Sequence, residues 1–173
     1  MYTGKGRYAL MAIFAISALV SLFYEQYQLA AIAGFLFAFI LWSHFKHGSV
    51  LMASKYFKDA DYERAEEILA EIANPDRLSK NRRGYYEFMK ANIALQWEDF
   101  EKAEFHFQIA SRFPLGSKND KAFVMIHLAN LALRKKDGQR AIAYIERAKE
   151  LATSSRAKEI IKIIEKEANG LAS

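Results

Sequence analysis

Four histidines, twenty carboxylates and no cysteine are the raw material for chemistry in this chain of 173 residues. His44 and His47 stand three apart, the reach of two metal ligands on one helix, but no carboxylate near them in sequence completes a set. His106 and His127 fall inside helical patterns, where a satisfied or surface imidazole is the simpler reading. Glu63, Glu66 and Glu67 open a helix, where negative charge complements the macrodipole. Without cysteine there is no disulfide framework, no thiolate zinc site and no cysteine nucleophile. No glycine loop cradles a phosphate, and no nucleophile elbow or metalloprotease signature is present. The sequence therefore predicts a chain that is not an enzyme, with no catalytic, cofactor-binding or metal residues, no cofactor and no small-molecule substrate.

The elements that carry these residues divide the chain in two. From Met1 to Gly48 the charged residues are Lys5, Arg7, Glu25 and Lys46, so nearly all of the 25 basic and 20 acidic residues lie beyond. There, acids and bases alternate along helical faces, the pattern of solvated helix surfaces and not of a nucleic-acid footprint. No nucleic acid is expected as a partner.

Residues 8–24 and 29–45 form two uncharged apolar runs separated by Glu25-Gln26-Tyr27-Gln28. Each run reaches the lower end of the roughly 17 to 25 residues that cross a bilayer. Residues 1–48 are accordingly expected to be a membrane anchor, two transmembrane helices in a tight hairpin with the lipid bilayer as partner through 8–45. Ala30, Gly34 and Ala38 would supply a small-residue stripe for close packing. Tyr8, Tyr24, Tyr27 and Trp42 sit near the run ends, where amphipathic rings favour the headgroup zone. Lys5, Arg7, Lys46, Lys55 and Lys58 flank the outer ends, which predicts an integral protein of the cell (inner) membrane with both termini and the remaining chain cytoplasmic. A secretory signal peptide lacks its cleavage site here, since Ser21-Leu22-Phe23-Tyr24 is bulky. Two buried core helices are the other alternative, against which neither run offers a polar face.

Beyond the anchor three stretches repeat, KYFKDADYERAEEILAEIANP from Lys55, NIALQWEDFEKAEFHFQIASRFP from Asn92 and NLALRKKDGQRAIAYIERAKELA from Asn130. Ala65, Ala103 and Ala141 mark equivalent places, spaced 103 − 65 = 38 and 141 − 103 = 38. Twelve residues before each lies a second small residue, Ala53, Ala91 or Ala129, where two helices of a hairpin would cross closely. Leu69, Phe107 and Ile145 follow one helical turn after, on the same face. These are packing positions.

The small-residue spacing, the Asp61-to-Ala65 and Asp99-to-Ala103 motifs, and Lys136 to Ala141 resemble tetratricopeptide repeats. The resemblance covers roughly residues 49–153 as three units, about 49–76, 84–115 and 122–153. It implies an all-α fold, an α-solenoid of helix-turn-helix repeats behind the transmembrane hairpin. The period departs from the family's ~34 residues; the surplus is expected in the connections at Arg77–Asn81 and Gly116–Asn119. Residues 154–173 would form a capping helix and tail, with Ile160, Ile161, Ile163 and Ile164 on its apolar side and Gly170 as its stop.

The resemblance also implies a concave, partner-binding groove on the first helix of each hairpin. It assigns Tyr85, Phe88, Asn92, Leu95 and Gln96 in the second unit, and Phe123, Ile126, Asn130, Leu133 and Arg134 in the third. An asparagine on a groove wall can pair with both donor and acceptor of an extended peptide backbone. Phe88 and Ile126 stand where chaperone-binding members of the family carry charge, so a chaperone C-terminus is not expected. The same aromatics could instead be core between repeats. Arg77, Lys80, Arg82 and Arg83 could meet anionic headgroups or simply be solvated. The functional expectation is a non-catalytic, membrane-anchored scaffold or assembly factor that binds a protein or peptide partner. The alternative is a subunit of a larger membrane complex, held by its hairpin with the repeats as spacer.

Overall fold

The computed structural model describes the backbone of residues 4–47 and 50–172, and the side chains of residues 9–41 and 50–171. Among these residues the chain is all-α, nine α-helices and one short 3-10 turn without a strand, consistent with a helical solenoid. Helices α1 (Gly4–Phe23) and α2 (Tyr27–His47) pair as one hairpin. Three further hairpins follow: α3 (Val50–Lys58) with α4 (Tyr62–Ala70), α5 (Lys80–Gln96) with α6 (Phe100–Arg112), and α7 (Lys118–Arg134) with α8 (Gly138–Leu151). Helix α9 (Ser155–Ala172) closes the array, packed on α8 and α7.

One turn is used in all three repeats. Ala60, Glu98 and Lys136 each take a left-handed conformation, φ 59°, 57° and 58°. The next residue, Asp61, Asp99 or Asp137, donates its N–H to the carbonyl five residues back, on Tyr56, Ala94 or Ala132. That bond and the one before it end a helix by satisfying its last carbonyls. The same aspartate then caps the next helix, its carboxylate accepting from the N–H of Arg64, Lys102 or Arg140. A side-chain cap of this kind contributes about 1 kcal/mol. None of the three left-handed residues is glycine, so each holds strain that glycine would release. Glu98→Gly and Lys136→Gly are each expected to stabilise the chain by about 0.5–1 kcal/mol, read as a higher thermal midpoint; unchanged or lower midpoints would show that the turn is unstrained.

The repeat period places small residues where helices cross. Ala53, Ala65, Ala91, Ala103, Ala129 and Ala141 are all 0% exposed, as are Leu69, Phe107 and Ile145. An aromatic chain runs through this interior from hairpin to hairpin. Tyr62 meets Phe57, Phe57 meets Phe88, Phe88 meets Phe107, and Phe107 stacks on the His127 ring. Helix α5 is a shared wall: Tyr86, Met89 and Ile93 face the core of the first hairpin, Ala91 and Ala94 that of the others. Its start lies so close to the 113–115 segment that a Cβ on Gly84 would fall 2.6 Å from the Pro114 carbonyl oxygen, which explains glycine there.

The surplus residues of the period do not all sit in connections. Helix α5 already begins at Lys80, and α7 at Lys118, where Ser117 and Asp120 form a reciprocal capping box. Pro75–Arg77 is a 3-10 turn. Helix α9 continues through Gly170 instead of stopping there, and Ile161 and Ile164 are buried while Ile163 points outward.

The N-terminal expectation needs correction. Among the described residues no helix is long and apolar enough to cross a membrane. Transmembrane spans over 8–24 and 29–45 are therefore not supported, nor are the anchor, the integral inner-membrane localisation and the cytoplasmic orientation that rested on them. The physical reason lies in the sequence of the two helices: α1 reaches 20 residues only by taking in Lys5 and Arg7, and α2 reaches 21 only by taking in Lys46, so the uncharged runs inside them stand at or under the lower end of what crosses a bilayer. The side chains of Lys5, Arg7, Tyr8, Trp42, His44, Lys46 and His47, on which orientation and a metal pair were argued, lie outside the described residues, as do Gly48 and Ser49. The contact between α1 and α2 falls on Met11, Ala30 and Ala33, whereas Ala38 is exposed and nothing lies within 4 Å of a Cβ placed on Gly34. Helix α1 ends on the same turn as the repeats, with Glu25 at φ 56° and the Gln26 N–H bonded to the Ser21 carbonyl.

Candidate functional site

Helices α5 and α7, the start of α6 and the closing helix border a cavity of about 410 Å³. Its walls are Leu95 from α5, Phe100 from the start of α6, His127, Asn130, Leu131, Leu133 and Arg134 from α7, and Glu167 from α9. Asn130 and Arg134 are one helical turn apart and both exposed. The Arg134 guanidinium lies 3.7 Å from the Phe100 ring centroid, a cation–π contact that fixes the side chain by about 0.5–1 kcal/mol at an exposed site. The ion pairs of the described residues place no carboxylate against Arg134.

His127 lines the cavity from α7. Its ring lies parallel to that of Phe107, 7° between planes and 4.8 Å between centroids. Burial holds its imidazole below the ordinary 6.5, because the charged form is the one a dry site disfavours. The folded state thus takes up this proton at lower pH than the unfolded state. The stabilising contribution is whole above about pH 6.5 and is lost as pH falls toward the lower folded value. His127→Leu is expected to lose less thermal stability than the parent chain between pH 7 and pH 5; equal losses would mean that His127 is charged when folded.

The ten residues assigned to a groove are dispersed. Leu95, Asn130, Leu133 and Arg134 meet at the cavity. Tyr85 instead ties down a connection, its hydroxyl accepting the Gly116 N–H at 3.1 Å. Phe88 lies between Phe57 and Phe107, half-buried, and Ile126 is 2% exposed in the core. Phe123 packs against the same core, and Gln96 is exposed at the end of α5. The Asn92 amide donates to the Phe88 carbonyl of its own helix at 2.7 Å, so the two asparagines are not equivalent.

No family model matches the chain, and neither a curated protein nor a solved structure is significantly similar to it. Recognition as a tetratricopeptide protein with a membrane anchor is thereby corrected. What stands is an all-α array of helical hairpins with its own period and its own Asp-capped turn.

Two buried carboxylates escaped the sequence reading. Glu87 on α5 is 1% exposed, with Oε2 2.5 Å from His106 Nδ1 and Oε1 2.8 Å from Arg83 Nε. The Arg83 contact is close but poorly aimed for a hydrogen bond; Arg83 also reaches Asp76 at 2.7 Å. The basic cluster at 77–83 therefore gives one member to the interior. Glu104 on α6 accepts from Lys135 at 2.6 Å and Arg140 at 2.5 Å. Burial alone would raise its carboxyl, but the hydrogen bonds and charges of Lys135 and Arg140 outweigh that and hold it below the usual range. Charged residues at helical spacing read as surface, and the one available signal was comparison between repeats: Met125 and Tyr144 occupy the places of Glu87 and His106 one period on. Both acids are engaged, Glu87 by Arg83 and His106 and Glu104 by Lys135 and Arg140, contacts that tie α5 to α6 and α6 to the junction between α7 and α8. Among the described residues no three His, Asp or Glu side chains converge as a metal set.

Proposed function

We propose that the chain is a non-catalytic protein-binding array whose inner cavity takes an extended segment of a partner protein. The observation that carries this is the exposed Asn130 amide on α7, set above an apolar wall of Leu95, Leu131 and Leu133. An amide can pair with both backbone groups of an extended peptide, while the wall beside it takes a side chain. The test is selection of 12-residue peptides from a random library on the full chain, followed by titration against Asn130→Ala and the cavity-filling Asn130→Trp. Peptides that lose tenfold or more of their affinity for Asn130→Trp support the reading. Peptides that bind all variants alike, or no selected peptide at all, sink it.

A second reading has its own observation. On α1 and α2, Ile16, Leu19, Phe23 and Phe35 are each at least 60% exposed, more contiguous apolar surface than a lone domain usually leaves uncovered. In that reading the chain is a subunit of a larger assembly contacted through this hairpin. Leu19→Asp would then release the assembly while Asn130→Trp leaves it intact.

A further inference from the structure

Of the charged side chains that border the cavity, one is prepared for an ionic partner and lacks one. The Arg134 guanidinium carbon sits 3.7 Å from the centroid of the Phe100 ring, and no ion pair among the described residues reaches its N–H groups. Of the other basic side chains near the adjoining turn, Lys135 and Arg140 are engaged by Glu104, and Lys136 occupies the exposed left-handed position of the turn itself. A planar guanidinium held in this way matches a carboxylate, which it can grip with two parallel N–H bonds. Glu167 enters the same cavity from α9, so a run of acidic residues would meet repulsion one step from the favourable contact.

Resting on the protein-binding reading above, the geometry points to the kind of segment bound: an internal, extended stretch with one acidic side chain at Arg134, an aliphatic neighbour against Leu95, Leu131 and Leu133, and no second acid toward Glu167. Specificity comes from charge at one residue, whereas Asn130 serves any backbone. A lysine, an arginine or a backbone N–H of the partner faces Glu167.

The experiment uses the library-selected peptides, N-acetylated and C-amidated so that no terminal charge contributes, on the full chain kept dispersed in mild detergent because of the apolar faces of α1 and α2. The expected result is enrichment of Asp or Glu beside Leu, Ile or Val. Replacing that acid by its amide should weaken binding tenfold or more to the parent chain and hardly at all to Arg134→Gln. Arg134→Lys, which keeps the charge but not the fork, should fall between. Glu167→Gln should admit a second acid that the parent chain rejects. Exchange of acid for amide on the peptide cannot unfold the protein, so the result is readable even if Arg134→Gln folds poorly. Peptides that need Asn130 yet ignore both the acid-to-amide exchange and Arg134→Gln overturn this inference while leaving the groove; peptides indifferent to Asn130 and Arg134 alike overturn the groove reading itself.

Discussion

Phe107→Ala is expected to cost about 3–5 kcal/mol of folding stability, the range for truncating a fully buried aromatic. Phe107 is 0% exposed, touches Phe88 edge-on and His127 face-on, and so joins the second hairpin to the third. Each aromatic contact adds about 0.5–1.5 kcal/mol beyond the area it buries. The void also removes the support under His127, one wall of the cavity. Denaturant unfolding followed by helical circular dichroism measures the loss, and Phe107→Leu should retain more than half of the stability lost by alanine. A cost below about 1 kcal/mol would mean that the hairpins close up over the gap and that the aromatic chain is not what holds them.

Arg83→Ala is expected to be comparably damaging, about 3–5 kcal/mol, though it deletes a mostly polar side chain. The cost arises from what remains: Glu87, 1% exposed, would keep only His106 as a partner, and an uncompensated buried charge is expensive. Asp76 would also lose its contact, freeing the Pro75–Arg77 turn from α5. The decisive comparison is the double variant Arg83→Ala/Glu87→Met, which removes the stranded charge and installs the residue type found at Met125, one period on, in a buried place. It should recover most of the stability lost by Arg83→Ala. If the double variant is no better than the single one, Arg83 stabilises through its stem and its ring contacts with Tyr86 and Phe113, and not through Glu87.

Those two residues also mark how far the sequence could be read. Small residues at a constant spacing announce helix crossings, because only alanine or glycine admits such close backbones, and Ala65, Ala103 and Ala141 lie where that argument puts them. The acidic turns were visible for a similar reason: an aspartate just before a helix is a cap in almost any context. Buried charge was not visible. Arg83, Glu87 and Glu104 follow the same spacing as solvated residues, and only the approach of a neighbouring helix turns them inward. The left-handed turn residues were equally silent, since Ala60, Glu98 and Lys136 are not the glycine that announces such a conformation. Of the residues assigned to a groove, Leu95, Asn130, Leu133 and Arg134 border one cavity. Period alone cannot say that Asn92 spends its amide on its own helix while Asn130 does not, nor that α9 adds a carboxylate to the cavity.

Helix lengths along the array carry one more consequence. Helix α4 has nine residues, whereas its counterparts α6 and α8 have 13 and 14. Among the three repeats, the hairpin of α3 and α4 thus has the shortest second helix to hold and should open most often, the amide protons of α4 exchanging with solvent long before those of α7, which is buried against α8, α6 and α9. Breathing is thereby graded from one end of the array to the other. The cavity is built mainly on the slow end. Leu131 and Leu133 line it from the most protected helix, so the partner segment proposed above would meet a surface already in place and bear only its own ordering entropy on binding.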